Sequence, residues 1–90
     1  MRLAETVRVI EQFNANSDAI QAAIAFLMSL LCLNPKLEIP VVCNMGTIAF
    51  CWKNDIIIIL SKPKQFYIGE EKVEEPKSLQ AIVKLINETL

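Results

Sequence analysis

A chain of 90 residues that is 53% hydrophobic and 21% charged has the composition of one globular domain and excludes a disordered one. Nine basic and ten acidic residues leave a net charge of -1, which argues against a nucleic-acid-wrapping surface, because that affinity rests on clustered Lys and Arg. Three cysteines without C-x-x-C spacing, and no histidine, argue against a secreted disulfide scaffold and a Cys/His zinc site.

The opening segment, MRLAETVRVIEQF, repeats Leu3, Val7, Ile10 and Phe13 with charged residues between them, the pattern of an amphipathic helix. Asn14 to Asp18 then supplies stop and cap residues, with capping-box spacing from Asp18 to Gln21, so a second helix is expected from residue 17 or 18. That helix, running to Leu33 before Asn34-Pro35, is apolar on every side. Ala19 to Leu33 spans about 22 Å as a helix, short of the roughly 30 Å hydrocarbon core, so burial in protein is expected rather than a membrane span. The apolar run also starts too far from Met1, behind a mixed-charge helix, for a signal peptide, which reads as a mature cytoplasmic start.

Four strand-like runs follow: PVVCN from Pro40, TIAFCWK from Thr47, DIIIILS from Asp55 and QFYIG from Gln65. Turn signals at Met45-Gly46, Asn54-Asp55 and Lys62-Pro63-Lys64 separate them. Connections this short make an antiparallel meander, since parallel strands need a crossover of a dozen residues or more. The last segment, PKSLQAIVKLINETL, carries Leu79, Ile82, Val83, Ile86 and Leu90 on one face of a helix that Ser78 or Glu75 can cap. The expected fold is α+β: two N-terminal helices, a four-stranded antiparallel meander and a C-terminal helix, in a single domain over residues 1–90.

Taking Asn54-Asp55 as a two-residue hairpin loop pairs Trp52 with Ile57 and Phe50 with Ile59. Ile48, Phe50, Trp52, Ile57 and Ile59 then share one face, joined by Val41 and Cys43 across the Met45-Gly46 turn. Val42, Ala49, Cys51, Ile56, Ile58 and Leu60 share the other. Both faces are apolar, and three helices do not cover them both while also surrounding the second helix. Leaving Ile56, Ile58 and Leu60 in water forgoes roughly 1.5 to 3 kcal/mol each, which soluble monomers rarely tolerate as a patch. A homodimer or protein partner is therefore expected to meet Ala22, Phe26, Leu30, Ile56, Ile58 and Leu60.

For catalysis, the absence of histidine removes the usual nucleophile pairs and the imidazole acid–base group. Glu70, Glu71, Glu74 and Glu75 are the only dense carboxylates; they read as a solvated loop, with a small enzyme or metal-binding protein using that loop as the alternative. Gly46 and Gly69 are the only glycines, so phosphate-cradling fingerprints are missing. Lys62 and Lys64, with those four glutamates, are candidate contacts to a partner protein. The three cysteines, Cys32, Cys43 and Cys51, lie in apolar runs and read as reduced, packed thiols. No cofactor, metal, nucleic-acid or membrane partner is expected.

The stretch P-V-V-C-N-M-G-T-I-A-F-C-W-K-N-D-I-I-I-I-L, with the Y-I-G strand and terminal helix after it, resembles small bacterial, phage or mobile-element proteins over roughly residues 38 to 90. In those, a G-x-I-x-x-x-W strand, matched by Gly46, Ile48 and Trp52, leads through a polar turn into an apolar strand. The resemblance implies a non-catalytic inhibitor or accessory subunit working by contact: an immunity protein, an antitoxin-like subunit or an anti-CRISPR-like inhibitor of a nucleoprotein.

Overall fold

Helices α1 (Leu3–Glu11), α2 (Ser17–Leu33) and α3 (Leu79–Thr89) pack on a five-stranded antiparallel sheet of β1 (Val41–Asn44), β2 (Ile48–Trp52), β3 (Ile56–Ile59), β4 (Gln65–Ile68) and β5 (Glu71–Val73). The strands lie side by side in chain order, a pure meander. The computed structural model describes residues 3–44, 47–61 and 63–89; Met45, Gly46, Lys62 and Leu90 of the elements and turns read from sequence lie outside them. The α+β class and the three helices are as expected, and the sheet has one strand more. Gly69, at φ 64°, turns the chain back after β4, so that Glu71, Lys72 and Val73 pair with Ile68, Tyr67 and Phe66 instead of forming part of a loop.

Local chemistry sets the helix ends. Asn16, not Asp18, caps α2: its side-chain oxygen accepts the Asp18 N–H at 2.7 Å. At the other end Asn34 donates its N–H to the Leu30 carbonyl, and Pro35 bars further helix. Ser29, in the middle of α2, donates its hydroxyl to the Ala25 carbonyl at 2.8 Å, so it needs no outside partner. Of the two residues expected to cap α3, Ser78 does so, accepting the Ala81 N–H at 3.1 Å.

The register of both N-terminal hairpins differs by one residue from the two-residue-loop expectation. Asn44 pairs with Ile48 and Val42 with Phe50; Trp52 pairs with Ile56 and Phe50 with Ile58. The second hairpin closes on a three-residue turn, Lys53–Asp55, in 3-10 geometry. Asp55 takes a left-handed φ of 59°, the arrangement in which a tight turn plus one left-handed residue joins two strands. Since side chains alternate, a one-residue slip exchanges the faces. Val42, Ile56 and Ile58 join Phe50 and Trp52, whereas Val41, Cys43, Ile57 and Ile59 turn the other way.

All three helices cover the Phe50 face. α2 lies between α1 and α3 and over β2, with α1 beside β1. Ile10 of α1, Ala23, Phe26, Leu27 and Leu30 of α2, and Ile82, Val83 and Ile86 of α3 form one cluster with Val42, Ile48, Phe50, Trp52, Ile56, Ile58 and Phe66. The Phe26 and Phe50 rings stack 5.9 Å apart, and Trp52 meets Phe50 edge-on at 6.1 Å. The all-round apolar character of α2 follows from its position: neighbours on both flanks and the sheet beneath, with Ala19, Ala22, Ala25 and Met28 outward. No helix among the described residues is long and apolar enough to cross a membrane.

This packing corrects the expected dimer contact. Leu30 and Ile58 are fully buried, and Phe26 and Ile56 nearly so, within the single chain. Leu60 packs half-buried against the same cluster, and Ala22 alone of the six is exposed. The corrected register turned these aliphatics inward under the helix layer.

Candidate functional site

The face opposite the helices is built by cross-strand pairing. Val41, Cys51, Ile57, Tyr67 and Lys72 stand in one row, each opposite the next across β1 to β5. Cys43, Ala49, Ile59 and Gln65 form the row beside it. Among the described residues no helix lies over this face, and of its nine side chains only Lys72, at one margin, is charged. Val41 at the other margin is 56% exposed. Cys43, Cys51, Ile57, Ile59 and Tyr67 are half-buried by their neighbours in the sheet, while Ala49, the smallest, is closed over completely. The Tyr67 hydroxyl donates to Gln65 Oε1 at 3.0 Å, which occupies the polar atoms nearest the Lys72 margin. The surface offered is thus aliphatic and thiol over β1 to β3, and amphipathic over β4 and β5.

Within it, the Cys43 and Cys51 sulfurs lie 3.9 Å apart. Burial among the aliphatics, and then the neighbouring Cys43, pushes the Cys51 thiol up to about 11. Both remain free thiols, as does Cys32, which sits exposed on α2.

The residues expected to contact a partner fall elsewhere and apart. Lys64 is exposed, its ammonium 5.3 Å from the Phe26 ring centre. With Glu75 it lines an open cavity of about 660 Å3 between the first turns of α2 and the β3–β4 connection, floored by Phe26, Leu60 and Ala22. Glu70, Glu71 and Glu74 are exposed around β5 and do not line that cavity. Lys62 lies outside the described residues. The five that are described therefore do not make one patch: Lys64 and Glu75 are brought to the same cavity, the other carboxylates to the β5 margin. Among the described residues no group of three or more Cys, Asp or Glu gathers as metal ligands.

The open-face residues Val41, Cys43, Ile57 and Ile59 had been expected on the helix-covered side. The signal that finds them is the length of the polar turn: Lys53, Asn54 and Asp55 are three polar residues, and an odd loop reverses the parity that an even one sets. Compared with protein families, curated proteins and solved structures, the chain matches none.

Proposed function

We propose that this chain is a small non-catalytic protein-binding module that acts by stoichiometric contact, and that its open sheet face is where it docks, first of all on a second copy of itself. The observation that carries this reading is the row Val41, Cys51, Ile57 and Tyr67, apolar and covered by no helix. A single marginal Lys72 offers little to a phosphate backbone or an acidic bilayer, so the complementary surface is another neutral apolar one. Sheets pack face to face about 10 Å apart with side chains interleaved, and a two-fold contact makes the same patch serve both sides.

Area sets the strength. Outer strands about 19 Å apart and four residues long, at about 3.4 Å each, outline only some 260 Å2. A stable interface takes about 800 Å2 per partner. The pairing is accordingly weak and exchangeable, which leaves the face available to a target. A stoichiometric inhibitor or accessory subunit suits such a module, including the immunity, antitoxin-like and anti-CRISPR-like roles found among small phage and mobile-element proteins. Three unpaired thiols fit a reducing, cytoplasmic setting.

Light scattering behind size exclusion, over a concentration series, tests the reading. The mass rises from the 10.1 kDa of one chain toward twice that value as concentration increases. A mass fixed at one chain throughout contradicts it.

A further inference from the structure

Cys43 and Cys51 are not direct cross-strand partners: Cys43 pairs with Ala49 and Cys51 with Val41, which makes the two cysteines diagonal neighbours on the open face. Their sulfurs are nevertheless 3.9 Å apart, each half-buried and reachable from the side no helix covers. Ala49, Val41, Ile57 and Ile59 are their cross-strand and flanking companions, with no charged side chain between the pair and the Lys72 margin.

That geometry suits a bridging atom better than a direct bond. Diagonal positions of an antiparallel pair have Cα atoms about 7–8 Å apart, beyond the roughly 6.8 Å that an unstrained disulfide spans. Closing the sulfurs to about 2.05 Å requires the strands to shift. By contrast, two metal–thiolate bonds of about 2.3 Å, placed in line, need the sulfurs about 4.6 Å apart. From 3.9 Å that is a parting of less than 1 Å, within reach of small side-chain rotations.

We propose that Cys43 and Cys51 form a two-thiolate site for one soft monovalent cation of the copper(I) class. Ligand chemistry selects the ion. Thiolates favour soft metals, whereas calcium and magnesium call for oxygen ligands. Structural zinc calls for four ligands, and among the described residues no third Cys, Asp or Glu joins the pair. Binding breaks two S–H bonds, forms two metal–sulfur bonds and releases two protons to solvent, with no change of oxidation state.

The test is an anaerobic titration of the wild-type protein with acetonitrile-stabilised copper(I) against a chromophoric copper(I) chelator. Iodoacetamide footprinting by mass spectrometry accompanies it. One equivalent is expected to bind, with Cys43 and Cys51 protected from alkylation and the exposed Cys32 still modified. Cys43→Ser and Cys51→Ser, checked for folding by circular dichroism, each weaken binding by more than about tenfold, and Cys32→Ser leaves it unchanged. The footprint needs no variant, so it stands even where a serine substitution fails to fold. Unchanged alkylation of Cys43 and Cys51 in saturating copper(I), or binding that follows Cys32, overturns the proposal. So does recovery of the pair as a disulfide two hydrogens lighter without bound metal.

Discussion

Phe50 stands directly opposite Ile58 across the β2–β3 hairpin, and both are fully buried beneath the helices. That pairing decides which side of the isoleucine strand is dry. Ile56 and Ile58 belong to the core, and Ile57 and Ile59 to the open face.

The division predicts unequal costs for substitutions at the two faces of the isoleucine strand. Ile58→Ala removes a fully buried side chain and should lower unfolding stability by about 2–5 kcal/mol. Ile57→Thr, on the half-buried open face, should cost less than about 1 kcal/mol, since a β-branched residue is kept there. Urea denaturation of the two variants measures both, and a larger loss for Ile57→Thr would mean the register is the other one.

The turn that sets this register has its own signature. Asp55 holds a left-handed φ of 59°, tolerable for Asp and costly for a β-branched residue. Asp55→Val should destabilise by about 1–2 kcal/mol, while Asp55→Gly, which adopts that conformation freely, should be neutral or stabilising by a few tenths. Thermal melts of the pair decide it.

These two residues also explain how far the sequence could be read. The helices were legible because their apolar spacing and caps are local: Leu3, Val7 and Ile10 for α1, Ser78 before α3. The meander was legible from its short polar turns. The identity of each face was not, because it depends on whether a turn holds two residues or three, and Asp55 in a left-handed conformation gives no glycine to announce the third. The same parity moved Val42 inward and Val41 outward at the first hairpin. Strand β5 was hidden by composition: Glu71 and Lys72 are poor strand formers, and the three-residue edge rests on Gly69 and on Val73 packing against the core. The candidate site went with the faces, so an apolar surplus was foreseen but assigned to the side that the helices cover.

A half-buried hydrogen bond anchors the approach to the sheet. The Trp52 indole N–H donates to the Glu38 carbonyl at 2.7 Å, beside an exposed Lys53–Glu38 ion pair at 3.4 Å. Trp52→Phe leaves that carbonyl without its donor and should cost about 1–3 kcal/mol beyond the lost ring volume. Lys53→Ala should cost under about 1 kcal/mol, since both partners are solvated. Denaturant midpoints of the two variants separate the effects.

Stability should also fall at alkaline pH through Cys51. Its folded-state value of about 11 lies above the ordinary 9.0, so the folded chain holds that proton more tightly than the unfolded one. The associated stability is fully present below pH 9 and is lost as pH rises toward 11. Cys51→Ser should therefore show a shallower decline than wild type across that window in parallel pH–stability series; identical slopes would show that Cys51 carries none of it.

The central claim is that the face bearing Ile57 is the docking surface. Sedimentation equilibrium of wild type, Ile57→Lys and Met28→Lys over a range of concentrations tests it most directly, because Met28 is an exposed apolar side chain, 44% accessible, that lies on α2 in the helix layer and not on the open sheet face. Wild type and Met28→Lys should show reversible association above the single-chain mass of 10.1 kDa, and Ile57→Lys should remain at that mass at every concentration. Association that survives Ile57→Lys and is lost in Met28→Lys, or a wild type that never exceeds one chain, would contradict the account.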